Sequence, residues 1–191
     1  MRDVDSPLGF RPRRVIVAGV SGAGKTTLAG RIADALGSRH VEIDGLFHGA
    51  GWVPRPEFEA DVEAFVAEDE WVTEWQYRSV RELLVSRADV MVWLDLPYWT
   101  STLPRLVART LRRRLRREVL WNGNVEPALW TVFTDPEHIL RWSFSTRHKY
   151  RERVPQLARD EPGLVVVRLR SRAEVERWLA GPLADVGCRR A

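Results

Sequence analysis

The chain has 191 residues, 45% hydrophobic and 29% charged, with a formal net charge of +4. This composition excludes a disordered polyelectrolyte and describes a globular chain long enough to bury a core without staples. One cysteine excludes an internal disulfide and a four-cysteine zinc site, and neither a membrane span of ~18–20 apolar residues nor an apolar secretory leader is present, so a soluble cytoplasmic protein is expected.

Residues 1–12 contain two prolines and read as a loose lead-in. Arg14-Val15-Ile16-Val17-Ala18 is a β-branched run typical of a buried strand. After Gly19 to Thr27 an amphipathic helix carries Leu28, Ile32, Ala35 and Leu36, with Gly37 as its C-cap. His40 to Asp44 reads as a second strand, and the Gly-, Trp- and Pro-rich segment Leu46 to Pro56 as a loop. Phe58, Val62, Phe65 and Val66 keep helical spacing, and Glu70 to Glu74 reads as a third strand. Val80, Leu83 and Leu84 mark a helix, and Ala88 to Leu96 a fourth strand stopped by Pro97.

Thr100 to Arg117 reads as a long basic helix, followed by an Asn-Gly turn in Leu120-Trp121-Asn122-Gly123-Asn124. Residues 136–159 read as mostly helical, with Pro155 near an end or a kink. Leu164 to Leu169 is a fifth strand and Ala173 to Leu179 a closing helix. Strands alternate with helices from end to end, which implies α/β architecture with a parallel sheet covered on both faces.

Gly19-Val20-Ser21-Gly22-Ala23-Gly24-Lys25-Thr26 matches G-x-x-x-x-G-K-[ST] in full, with a strand before it and a helix after it. Glycines let the backbone curl so that its N–H groups face phosphate oxygens, and the helix N-terminus adds partial positive charge. Gly19, Ser21, Gly22, Ala23, Gly24, Lys25, Thr26 and Thr27 are therefore the candidate nucleotide-binding residues. Lys25 is placed to reach the β- and γ-phosphates of ATP, and the Thr26 hydroxyl to ligate Mg²⁺. Only Lys25 and Lys149 are lysines among the 30 basic residues, so a lysine at this position is all the less accidental. No N-K-x-D-type base-reading loop is present, which argues against a GTPase.

Glu42 and Asp44 share a face at the end of strand two, on the rim where open α/β sheets bind ligands. Asp44 is the candidate to orient or deprotonate an acceptor. Glu74, ending strand three, holds the Walker-B position and is the candidate to support the metal. Seven arginines lie between Arg105 and Arg117, and Arg105, Arg109, Arg112 and Arg116 share one helical face. Arginine suits the neutralisation of a transferring phosphoryl group.

Glu42-Ile43-Asp44, Asp95-Leu96-Pro97, the basic helix, Leu120-Trp121-Asn122-Gly123-Asn124 and Arg168-Leu169-Arg170-Ser171 together resemble the adenylate-kinase-like topology modulation proteins, over about residues 14–180. The resemblance implies a three-layer P-loop NTPase fold in one domain, with a five-stranded parallel sheet in the order 2-3-1-4-5. It implies a helical lid over about residues 100–135 and ATP as phosphoryl donor. It makes Arg109, Arg113 and Arg117 the lid candidates and places Arg170 near the adenine. One departure stands out. The family's D-G-N-Y reads Glu74-Trp75-Gln76-Tyr77 here, so a bulky ring replaces glycine and points to a smaller or different acceptor.

The expected activity is transfer of the γ-phosphoryl group to a small acceptor: a nucleoside monophosphate, a sugar or polyol hydroxyl, or an antibiotic-like compound. The alternative is an ATP-responsive nucleic-acid-binding module that uses the basic helix 100–117. Further candidates are Trp121 to Asn124 over the nucleotide, Arg55 for an anionic acceptor, and a second basic cluster at Arg147, Lys149 and Arg151.

Overall fold

The computed structural model describes residues 1–127, 130–131, 134 and 139–187. Five strands form one sheet: β1 (Arg14–Gly19), β2 (His40–Val41), β3 (Trp71–Glu74), β4 (Val90–Leu94) and β5 (Val165–Leu169). All neighbours are parallel and the order is β2-β3-β1-β4-β5, as expected. β4 is buried from end to end and β1 from Val15 onward, which is why they read as continuous apolar runs rather than alternating ones.

The helices are α1 (Lys25–Leu36), α2 (Ile43–Phe47), α3 (Phe58–Val66), α4 (Arg81–Arg87), α5 (Leu103–Arg116), α6 (Ile139–Ser145), α7 (Lys149–Asp160), α8 (Arg172–Trp178) and α9 (Ala184–Gly187). None is long and apolar enough to cross a membrane. Leu28, Ile32 and Leu36 of α1 pack onto β1 and β3, while α4 reaches β1 and α8 reaches β5. Trp71, Trp93 and Trp178 are fully buried, so much of the tryptophan content serves packing. Asp95, at the end of β4, joins Arg151 of α7 at 2.9 Å and Arg168 of β5, tying three elements together.

Three expectations are corrected. The lead-in is docked rather than loose: the Arg2 N–H donates to the Val166 carbonyl at 2.8 Å, and Val4 and Leu8 are buried. The second strand stops at Val41 instead of reaching Asp44. The Ile43 N–H is taken by the Glu74 carboxylate at 3.2 Å and the Gly45 N–H by the Glu42 carbonyl at 3.0 Å, so the chain leaves the ladder and turns into α2. The helix expected over 136–159 divides into α6 and α7, with Pro155 inside α7. Its first residues, 136–138, lie outside the described residues, as do 128–129, 132–133 and 135 of the expected lid region.

Candidate active site

The loop between β1 and α1 curls as its glycines permit. Gly22 and Gly24 have φ of 84° and 98°, in the region that favours glycine. They are also crowded. A Cβ on Gly22 would lie 2.7 Å from the Leu106 Cβ, and one on Gly24 2.8 Å from the Arg105 guanidinium. Helix α5 therefore rests directly on the loop, and Arg105 Nη1 donates to the Ala23 carbonyl at 3.3 Å.

Lys25 begins α1 and is buried, with its ammonium 3.4 Å from the Val20 carbonyl. Burial pushes its pKa down to about 8, against the opposing pull of Asp44 and Glu74. Arg109 and Arg81 add to the depression. A buried cation beside these arginines is suited to a polyanion that neutralises all of them at once. Ser21 and Thr26 are half-buried and Thr27 is exposed.

Glu74 is 1% exposed, with His40 Nε2 at 3.2 Å and the Ile43 N–H at 3.2 Å. Burial alone would lift its carboxyl, but the hydrogen bonds from His40, Ile43 and Thr26 hold it below the usual carboxylate range. Glu74 thus lies within reach of Thr26. Among the described residues, no group of three or more His, Cys, Asp or Glu side chains is placed to hold a metal. A cation here would depend on Thr26, Glu74 and the oxygens of its ligand.

Asp44 sits in the first turn of α2 rather than at a strand end, a correction that also removes the face expected to be shared with Glu42. It accepts from Tyr77 Oη at 2.6 Å and Gln76 Nε2 at 3.0 Å, and lies within electrostatic reach of Lys25 and Arg109. Tyr77 stacks on Phe47 at 3.9 Å and approaches His48 Nε2 at 3.2 Å. Burial, with Asp44 beside it, pushes the Tyr77 phenol up. Burial also pushes His48 down.

The seven arginines divide differently from the expected face. Arg105, Arg109 and Arg113 form a half-buried row, Arg114 is half-buried with its guanidinium 3.4 Å from the Glu126 carbonyl, and Arg112, Arg116 and Arg117 are exposed. Burial, then Arg113, lowers the Arg109 pKa, countered by Glu126 and Asp44. Arg113 lies 3.4 Å from Glu126 and 3.7 Å from Glu118, so its charge is already shared. Arg117 is the left-handed C-cap of α5, with φ of 48°. The Arg170 N–H donates to Glu174 Oε2 at 2.7 Å, and Ser171 Oγ accepts from the Glu174 N–H at 3.1 Å. Together they cap α8 and so define the loop that follows β5.

The turn at Trp121 to Asn124 adopts the expected positive φ at Asn122 and Gly123, 55° and 81°. It lies on the α2 segment rather than over the P-loop. Trp121 Nε1 donates to Glu42 Oε2 at 2.8 Å, Asn122 Nδ2 to the His48 carbonyl at 2.5 Å and Asn124 Nδ2 to the Gly49 carbonyl at 2.8 Å. Asn124 Oδ1 accepts from the Trp52 N–H at 3.0 Å. His48, Trp52 and Trp121 form a ring cluster there, with centroids 5.1 to 6.3 Å apart. Arg55 is committed to Asp61 at 3.0 Å. Trp75 is buried against Tyr150 and Arg81. Sequence reasoning left Tyr77, Arg81 and Glu126 out of the site and did not single out Arg105 among the seven arginines. Gln76 and Tyr77 follow the end of a central strand, and that position was the available signal.

No protein-family model matches the chain, and no curated protein matches it. Among solved structures, a gluconokinase from Sinorhizobium meliloti superposes with a TM-score of 0.51 at 22% identity, covering 93% of this chain and 95% of that one. The chain has the P-loop kinase fold. A shikimate kinase from Acinetobacter baumannii reaches a TM-score of 0.49 at 16% identity, over 92% of this chain and 88% of that one. A sugar kinase from Janibacter sp. reaches 0.40 at 21% identity, over 88% and 90%.

Proposed function

We propose that the protein is an ATP-dependent phosphotransferase acting on a small acceptor. The observation that carries this reading is the glycine-curled loop that ends on the buried Lys25 ammonium, with Asp44 and Arg109 within its electrostatic reach. Cation, cation and base are the parts phosphoryl transfer requires, since its catalysis is mostly positioning and charge neutralisation.

Magnesium ATP, when bound, supplies the transferable γ-phosphoryl group. The loop from Gly19 to Thr27 holds its phosphates, with Lys25 on the β and γ groups. Thr26 and Glu74 would hold the magnesium ion. Asp44, kept in place by Tyr77 and Gln76, receives the acceptor proton. Arg109 neutralises charge on the transferring group, with Arg105 beside the loop and Arg113 behind it. Arg117 and Arg170 belong to the outer and adenine ends of the same binding path. Within this class, the resemblance to topology modulation proteins supports an adenylate-kinase-like, cytoplasmic enzyme whose acceptor is either a nucleoside monophosphate or another hydroxylated small molecule.

The test is calorimetric titration with magnesium ATP, together with ADP release in Lys25→Ala. Expected are binding in the wild type and a loss of turnover by orders of magnitude in a folded variant. Turnover equal to wild type would defeat the assignment.

A further inference from the structure

Asp44 stands at one end of a hydrogen-bonded chain whose other end is His48. Both donors to Asp44, Tyr77 Oη at 2.6 Å and Gln76 Nε2 at 3.0 Å, reach the same oxygen, Oδ1, and Oδ2 makes no hydrogen bond among the described residues. A phenol has one proton to give. Tyr77 gives it to Asp44, so its 3.2 Å contact with His48 Nε2 makes the imidazole the donor there. Two residues along this path hold a backbone that bulky side chains avoid: Tyr77 at φ 53° and Trp52 at φ 63°. Strain of this kind persists only where the surroundings over-determine it. Tyr77 is held by the Phe47 ring, stacked at 3.9 Å, and by the edge contact with Phe58 at 5.2 Å. Trp52 is held by Asn124 Oδ1, which accepts its N–H at 3.0 Å, and its ring lies 5.1 Å from that of His48. Asn122 Nδ2 donates to the His48 carbonyl at 2.5 Å. The chain is braced along its length, and it leaves one oxygen of Asp44 open.

We propose that His48, acting through Tyr77, is a positioning residue for Asp44, so that the acceptor meets this carboxylate through Oδ2 alone. This rests on the phosphotransferase reading and deepens it. The acceptor hydroxyl oxygen bonds to the γ-phosphorus, its proton passes to Oδ2, and the bond from phosphorus to the β–γ bridging oxygen breaks, releasing ADP. Tyr77 and His48 keep their own protons throughout. Their part is to stop the carboxylate from turning, so that the free oxygen already faces the proton it receives. Removing the imidazole donor leaves the Tyr77 hydroxyl without its second partner, and removing the hydroxyl leaves Asp44 with Gln76 alone.

The test has two arms and needs no identified acceptor. In the first, nitrogen-15 NMR of the wild-type histidines at neutral pH should find the His48 proton on Nε2, hydrogen-bonded, and Tyr77→Phe should move that nitrogen signal, because it removes the hydroxyl while keeping the ring on Phe47. In the second, ADP release from magnesium ATP is followed with water as the acceptor. Tyr77→Phe and His48→Leu should lower kcat about tenfold or more, while KM and affinity for a non-hydrolysable ATP analogue stay within about twofold. His48→Gln, whose amide can donate to Tyr77, should recover most of the loss. A His48 proton on Nδ1 alone, kcat in Tyr77→Phe equal to wild type, or His48→Gln no better than His48→Leu would overturn the proposal and leave the kinase reading standing. Failure of the wild type to bind the analogue or release ADP would overturn the kinase reading and the proposal with it, whatever the NMR shows of the hydrogen bonds.

Discussion

Lys25 is the residue at which stability and function oppose each other. A lysine ordinarily titrates near 10.5, and in the folded chain this one is held at about 8. Between those values the unfolded chain binds more protons than the folded one, so stability rises as pH rises from 8 towards 10.5. At neutral pH the full penalty is present, on the order of 3 kcal/mol. Lys25→Met is therefore expected to stabilise the fold at pH 7 by about 1–3 kcal/mol, read from the urea midpoint, while abolishing nucleotide binding. In the wild type, affinity for magnesium ATP should be flat below pH 8 and fall above it, by at most about tenfold per pH unit. Calorimetry at pH 8.5 in two buffers of different ionisation enthalpy should show proton uptake on binding. A pH-independent affinity up to 9.5 would uncouple Lys25 from the phosphates. Asp44 invites a parallel test. Asp44→Asn preserves the hydrogen bond from Tyr77 but cannot take a proton, so turnover should fall about 10²–10⁴-fold with little change in ATP affinity.

At the scale of one element, α5 turns a uniform-looking basic stretch into two unlike faces. Leu106 lies against Gly22 and Arg105 against Gly24, and this contact sets the rotation of the helix. Arg109 then faces the site, four residues on, while Arg112 and Arg116 face solvent. Arg109→Ala should reduce turnover about 10²–10³-fold, as loss of one preorganised cation does. Arg116→Ala should change it less than twofold, since a solvated charge is screened. Equal losses from both would mean that the helix acts through its net charge alone. The seven arginines were legible in the sequence, but the row facing inward was not. A face drawn through 105, 109, 112 and 116 fits helical spacing as well as one through 105, 109 and 113. Only the packing of Leu106 on a loop 84 residues earlier decides between them.

Across the whole molecule, the local features were readable and the long-range ones were not. Strand, glycine loop and helix around Lys25 follow one another in the chain, and the backbone conformations of Gly24 and Gly123 follow from residue type. The helix that carries Asp44 follows from a hydrogen bond between Ile43 and Glu74, 31 residues apart. Arg81 is placed by Trp75 and by Tyr150, which is much later in the chain. The docking place of the 121–124 turn is of this second kind. Its side chains bond to Glu42, His48 and Gly49, so one continuous segment reaches from the P-loop at Arg105 to the acceptor side at Trp121. On the proposed phosphotransferase reading, such a bridge would close the acceptor side of the site and keep water from the γ-phosphate. The fit is tight: a Cβ on Gly45 would lie 2.9 Å from Trp121 Cδ1. Trp121→Ala and Gly45→Ala loosen the contact from opposite sides. Both should raise ADP release in the absence of any acceptor by several-fold, with magnesium ATP affinity unchanged. If acceptor-free hydrolysis stays at the wild-type rate in both, the bridge braces the fold without guarding the phosphate.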